Sequence, residues 1–130
     1  MRISNFNLEQ LEETNSALPK LQLSSVQLNY SLIYRDRERN ILPYCDREGI
    51  ALLAYYPLGH GKLVLNPGLE KVSAKNSKMK AQVALRWLAQ KQNVFQILRA
   101  SSWAHVIENV GASNWELSAE DMAYLESRLR

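Results

Sequence analysis

Two histidines, one cysteine and a short glycine-rich turn are the residues of this 130-residue chain best suited to reactive or ligand-binding chemistry. A metal centre needs three or four ligands at close, regular spacing, and His60, His105 and Cys45 do not supply it. No metal site is expected. Cys45 falls on the apolar side of a helical pattern and reads as a small core residue. In Gly59-His60-Gly61-Lys62 the glycines would let backbone N–H groups approach phosphate oxygens. Leu63 follows the lysine, however, so the G-x-x-x-x-G-K-[ST] spacing of a P-loop is absent. Neither a G-x-S-x-G elbow nor paired histidines support hydrolase chemistry.

Charge narrows the partners. Sixteen Lys and Arg stand against 13 Asp and Glu, a net charge of +3. Lys71, Lys75, Lys78, Lys80 and Lys91 are read as a solvated helix face, and Arg35-Asp36-Arg37-Glu38-Arg39 alternates in sign as an exposed helix start would. Aromatic residues do not alternate with cations as on a single-strand binding platform, so nucleic acid is not an expected partner. No run approaches the ~20 apolar residues that span a bilayer. The start, Met1-Arg2-Ile3-Ser4-Asn5, lacks the apolar core of a signal peptide, and a cytoplasmic location is expected.

Periodicity organises these residues into strands and helices. Leu23 to Tyr30 alternates, with Val26, Leu28 and Tyr30 on one side. Ile50 to Tyr55 is a continuous apolar run between Gly49 and Pro57, and Val94 to Leu98 is another; such runs suit buried parallel strands. Helical patterns cover Glu9 to Leu18 (closed by Pro19) and Arg37 to Arg47 (stopped by Gly49). A longer one carries Met79, Val83, Leu85, Trp87 and Leu88, and a shorter one Val106, Asn109 and Val110. Ser118 caps a last helix, with Met122, Leu125 and Leu129 as its stripe. Strands alternating with helices predict an α/β fold with a parallel sheet, in one domain spanning residues 1–130. At 46% hydrophobic residues the chain can build a core without staples, yet it is far short of the ~250 residues of a complete (β/α)8 barrel.

In order along the chain, these segments resemble the aldo-keto reductase family. Ile3-Ser4-Asn5-Phe6-Asn7 is similar to its G-V-S-N-F strand, and Gln27-Leu28-Asn29-Tyr30-Ser31-Leu32 to the next strand. Ile33-Tyr34-Arg35-Asp36 with Leu42-Pro43-Tyr44-Cys45 resembles the following helix. Gly49 to Gly61 (GIALLAYYPLGHG) resembles G-I-A-L-L-A-Y-S-P-L-G-R-G almost position for position. Ala81 to Trp87 (AQVALRW), Ala100-Ser101-Ser102 with Glu108-Asn109-Val110-Gly111-Ala112, and Trp115-Glu116-Leu117-Ser118 complete the likeness.

The resemblance implies a parallel β/α half-barrel, the fifth to eighth strands of a TIM barrel with their helices. It implies a nicotinamide nucleotide, NADP in the first instance with NAD left open, bound by Ser4, Asn5, Gln27, Tyr55, Leu58, Gly59, Arg99, His105, Glu108 and Asn109. Ser4, Asn5 and Gln27 match the side chains that hold the carboxamide, and amides supply both donors and acceptors for it. Tyr55 matches the residue stacked on the nicotinamide ring. Leu58 and Gly59 match the turn beside the pyrophosphate. Glu108 and Asn109 match the pair at the adenine amine.

The family's catalytic Tyr, Asp, Lys and His belong to the first four strands, so no catalytic residue is expected in this chain. A Tyr needs a neighbouring Lys or His to protonate a carbonyl, and Tyr55, Tyr56 and His60 match other positions. The departures sit at the adenosine end: Leu98-Arg99 replaces Pro-Lys or Pro-Gly, His105 replaces Arg or Gln, and Tyr56 replaces a small Ser. Arg99 retains a fork suited to phosphate.

Three readings follow. The chain is an oxidoreductase half completed by another chain, a non-catalytic nucleotide binder, or a structural half-barrel without cofactor. A half-barrel leaves two open sheet edges and exposes the side chains meant for the barrel interior. Exposure of Val26, Leu28, Leu53 and Ile97 would forfeit about 1.5–3 kcal/mol each, which predicts a homodimer.

Overall fold

Four short strands, β1 (Arg2–Ser4), β2 (Ser25–Asn29), β3 (Ala51–Tyr55) and β4 (Val94–Gln96), form one all-parallel sheet in the order of the chain. The computed structural model describes residues 1–18 and 22–129. Ser4 pairs with Gln27, Gln27 with Leu53 and Leu53 with Phe95, so these four point to the same face of the sheet. Every crossover therefore steps the same way, and right-handed crossovers that all step one way lay their helices on a single face.

The covering helices are α1 (Leu8–Ser16), α2 (Ile41–Glu48), α3 (Lys62–Leu65), α4 (Glu70–Asn76), α5 (Lys80–Ala89), α6 (Trp103–Val110) and α7 (Ala119–Arg128). Their ends follow ordinary capping chemistry. Asn7 and Gln10 form a reciprocal box at α1, Gly49 at φ +67° closes α2, and the Ser118 hydroxyl accepts from the Asp121 amide at 3.1 Å. Strands β2, β3 and β4 lie where periodicity puts them, each trimmed by one to three residues, and β1 lies where the family resemblance puts it; α5 and α7 follow their patterns, and α6 begins three residues before Val106. Pro19, expected to close α1, lies outside the described residues. The helix expected over 37–47 is two elements, because the backbone turns at Asn40 (φ −139°) between a 3-10 turn, Asp36–Arg39, and α2. The helices α3 and α4 had no clear apolar period to announce them.

One expectation about burial is corrected by this layering. Val26 and Leu28 are fully buried beneath the helices, with Leu52, Ala54 and Trp87. The open face carries their neighbours, Gln27, Leu53 and Tyr55, half-buried, with Phe95 56% and Ile97 40% exposed. The open sheet face thus exposes a narrower apolar patch, along β3 and β4. Helix α6 adds a second, since it buries no residue and exposes Trp103, Ile107 and Val110.

Charge is also placed differently from the sequence-based expectation. Arg35 and Glu38 are largely buried rather than solvated. The Arg35 Nε donates to Glu38 Oε2 at 2.9 Å, and the Tyr30 hydroxyl to Glu38 Oε1 at 2.8 Å. Lys91 Nζ donates to Glu126 Oε1 at 2.6 Å, and the Trp87 indole N–H donates to the same oxygen at 3.1 Å. This cluster ties α7 to the segment after β2. Lys75 pairs with buried Asp121 at 2.8 Å and Lys80 with Glu70 at 2.6 Å, so much of the lysine face is neutralised within the fold.

Acid should therefore weaken the fold. Burial by itself would raise the Glu38 carboxyl, but hydrogen bonds from Arg35 and Tyr30 and the charges of Arg35 and Lys91 hold it below its ordinary 4.5. Asp121 is lowered in the same way by Lys75, Asn76 and Ser118 against the opposing effect of its burial. A depressed folded-state value gives stability that is complete above the unfolded value and lost as pH falls. Urea unfolding should show stability declining below pH 4.5, the ordinary Glu38 value. Glu38→Gln should cost about 1–3 kcal/mol at neutral pH, through an underpaired Arg35, and should flatten the acid slope.

Candidate cofactor site

Parallel strands deliver their carboxyl ends to one rim of the sheet, and that rim is where α/β folds place ligands. A pocket of about 660 Å³ opens there. Ser4 and Asn5 reach it from the end of β1, Gln27 from the open face of β2, and Tyr55 from the last position of β3. The turn after β3 contributes Tyr56, Pro57, Leu58, His60 and Gly61. The segment after β4 contributes Ile97, Leu98 and Arg99, and α6 contributes Asn109.

Seven of the ten expected residues therefore share one cavity: Ser4, Asn5, Gln27, Tyr55, Leu58, Arg99 and Asn109. Gly59, His105 and Glu108 do not line it. Gly59 faces the other way, since a Cβ there would meet Ile33 Cδ1 at 2.5 Å. Its missing side chain serves the packing of the turn against Ile33 rather than the approach of a ligand. His105 is exposed on α6, where its amide caps onto the Ser102 hydroxyl at 3.3 Å. Glu108 lies further along α6, and its carbonyl accepts from the Gln82 side chain at 3.0 Å.

The polar groups at the β1 and β3 ends are joined by hydrogen bonds. The Tyr55 hydroxyl donates to Asn5 Oδ1 at 2.8 Å, and the Asn5 backbone N–H donates to the Gln27 backbone carbonyl at 2.9 Å. Asn5 holds φ +59°, a conformation Asn tolerates well. With its oxygen engaged, the Asn5 side-chain NH2 is left to donate. The side chains of Ser4 and Gln27 make no hydrogen bond to other described residues, so both retain donors and acceptors for a ligand. Tyr55 offers a half-buried ring beside them.

The turn at 56–61 is strained and aromatic. Tyr56, Gly59, His60 and Gly61 all have positive φ, between +53° and +83°. For a ring as bulky as Tyr56 this costs about 1–2 kcal/mol. Its ring stacks on His60 at 3.7 Å between centroids and meets the Tyr55 edge at 5.1 Å. The backbone N–H groups of Leu58 and His60 donate to no acceptor among the described residues. Arg99 makes no ion pair with another described residue, and no Asp or Glu among them lines the pocket. The cavity therefore presents donors and positive charge around an aromatic wall. Sequence reasoning did not include Ile97, Tyr56, Pro57, His60, Gly61 or Leu98 among the site residues. The alternation Phe95, Ile97 along β4 was the signal for the first.

Gly59→Ala should destabilise the chain by about 1–2 kcal/mol, from φ +58° together with displacement of Ile33. Gly61→Ala, at φ +83° but in open space, should cost only the backbone term. Paired urea titrations check the difference.

Comparison with known proteins agrees with the geometry. The family model described as "Aldo/keto reductase family" matches residues 2–130. Aldose reductase B of Dictyostelium discoideum is 35% identical over 128 residues, covering 96% of this chain and 40% of that protein. Glyoxal reductase of Bacillus subtilis is 33% identical over 126 residues, covering 96% and 44%. A thermostable aldo-keto reductase solved with epalrestat superposes with a TM-score of 0.87 at 33% identity, covering 95% of this chain and 46% of that one. A Klebsiella pneumoniae aldo/keto reductase in complex with NADP and acetate gives 0.83 at 26% identity, covering 95% and 46%. The chain thus spans less than half the length of these relatives. Its whole-length match, its four-stranded parallel sheet and the shared cavity at the strand ends have one explanation: the chain belongs to the aldo/keto reductase family.

Proposed function

We propose that this chain is the nicotinamide-nucleotide side of an aldo-keto reductase barrel, corresponding to the fifth to eighth strands. It supplies no proton donor of its own. The observation that carries the reading is the convergence of Ser4, Asn5, Gln27 and Tyr55 on one cavity with Arg99 and no carboxylate. These residues fit the group. Asn5 and Gln27 would hold the carboxamide, Tyr55 would support the ring, and Arg99 would take the 2′-phosphate that NADP carries and NAD lacks. When bound, a reduced nicotinamide supplies a hydride. The chain's own part is to orient that ring and exclude water from one face of it.

Protonation of a carbonyl needs a hydroxyl poised by a neighbouring Lys or His. Tyr55 instead donates to Asn5, and Tyr56 is stacked on His60. Catalysis accordingly requires the groups of a complementary half. The exposed Phe95, Ile97 and α6 stripe support a homodimer in which a second copy covers the open face. No helix among the described residues is long and apolar enough to cross a membrane.

Titration of NADPH fluorescence with the purified chain should saturate, and Gln27→Ala should weaken binding by about tenfold, equal to about 1.4 kcal/mol. NADPH oxidation with an aldehyde should be absent for the chain alone, and light scattering should report a dimer. Saturation failing at millimolar nucleotide would overturn the nucleotide reading in favour of a structural half-barrel. Turnover would overturn the absence of a proton donor, and a monomer would overturn the dimer.

A further inference from the structure

We propose that the Tyr55 hydroxyl is a positioning group: it locks the Asn5 side-chain amide with its NH2 toward the cavity and so sets how a nicotinamide carboxamide docks. The inference rests on the nicotinamide-nucleotide reading above and adds a role for Tyr55 distinct from support of the ring.

An asparagine amide has two ends of nearly equal size and opposite hydrogen-bonding character. Its terminal torsion is broad and roughly two-fold, so a free Asn presents either end at little cost. Such a side chain recognises a carboxamide ambiguously. At Asn5 the ambiguity is removed from behind. The Tyr55 hydroxyl donates to Asn5 Oδ1 at 2.8 Å, and among the described residues neither group has another side-chain partner. With the amide reversed, the phenol oxygen would accept from the NH2, and the phenolic proton would have no acceptor among the described residues. Reversal would also turn Oδ1 toward the carbonyl oxygen of the ligand, acceptor against acceptor.

Backbone holds both partners of this bond. Asn5 sits at φ +59°, with its backbone N–H donating to the Gln27 backbone carbonyl at 2.9 Å. Tyr55 ends β3 in register with Asn29, and Tyr56 meets its ring edge to face at 5.1 Å between centroids. The other two carboxamide contacts are adaptable. Ser4 and Gln27 line the cavity without a side-chain hydrogen bond to a described residue, and an unpartnered hydroxyl or amide turns to suit its ligand. Asn5 is thus the fixed donor of the three. A carboxamide must offer it oxygen, and the NH2 of the ligand then falls to Ser4 and Gln27.

A double-mutant cycle read by isothermal titration with NADP+ tests this. Tyr55→Phe keeps the aromatic ring and removes only the hydroxyl. Asn5→Gly removes the amide and suits the left-handed backbone at φ +59°. Tyr55→Phe alone should weaken NADP+ binding about fivefold, and Asn5→Gly about tenfold. The two together should weaken it no more than about tenfold, because the hydroxyl acts only through Asn5. Unchanged affinity in Tyr55→Phe would overturn the inference, as would a loss of more than about twentyfold in the double variant. Nitrogen–proton spectra of the ligand-free chain give a second readout. Tyr55→Phe should shift the Asn5 side-chain NH2 signals and leave those of Gln27 in place. Unmoved Asn5 signals would overturn the lock, and this comparison stands even if Asn5→Gly fails to fold. Each of these results leaves the nucleotide reading intact. Failure of the unmodified chain to bind NADP+ at millimolar concentration would overturn that reading, and the inference with it.

Discussion

A sheet whose strands follow one another in chain order can be covered by its own helices on one face only. Everything else in this molecule depends on that constraint. The covered face becomes the core, with Val26, Leu28, Leu52 and Ala54 packed around fully buried Trp87 and Leu88. The other face keeps the residues one position along each strand, and it is the only face from which Gln27, Leu53, Tyr55 and Ile97 can reach a partner. A closed barrel satisfies both faces, because its interior is filled by its own strands. Four strands leave that interior open, and the chain carries the consequence as exposed Phe95 and Ile97.

The same alternation assembles the site. Ser4, Gln27, Leu53 and Phe95 lie side by side across four strands because parallel pairing keeps residues of one parity on one face. Asn5 and Tyr55 then meet over the strand ends, although they are 50 residues apart, and their hydrogen bond sets which donors face the cavity. The ion-pair cluster of Arg35, Glu38, Lys91 and Glu126 lies away from these groups. It fixes α7 and, through the indole N–H of Trp87, holds α5 in place. A paired set of charges thus supports the helices, while Arg99 beside the pocket has no ion pair among the described residues.

Much of this was legible in the sequence. The alternation in β2, the apolar run of β3 and the Ser118 cap are local signals, and local signals survive folding. The family likeness also brought together residues that the structure gathers into one cavity, Asn5 and Gln27 among them. What failed were inferences needing tertiary context. The charged run 35–39 looked solvated, since nothing local reveals that Tyr30 and Lys91 fold back onto it. The face to which Val26 points follows from alternation only once the position of the helices is known. Gly59 illustrates a third limit: its need for a bare Cα comes from Ile33, distant in sequence. Glu108 and His105 match family positions one by one, yet α6, tied to α5 by the Gln82–Glu108 hydrogen bond, buries none of its own residues, so matching residues do not add up to a wall.

In the proposed function Asn5 and Gln27 present their side-chain amides to a nicotinamide nucleotide in the cavity at the strand ends. Nitrogen–proton correlation spectra of the labelled chain, recorded with and without NADP+, observe those amides directly. Saturable shifts of the Asn5 and Gln27 side-chain NH2 signals, together with the backbone amides of Leu58 and His60, are expected. Unchanged signals from all four groups at saturating nucleotide, or shifts confined to residues of α6, would contradict it.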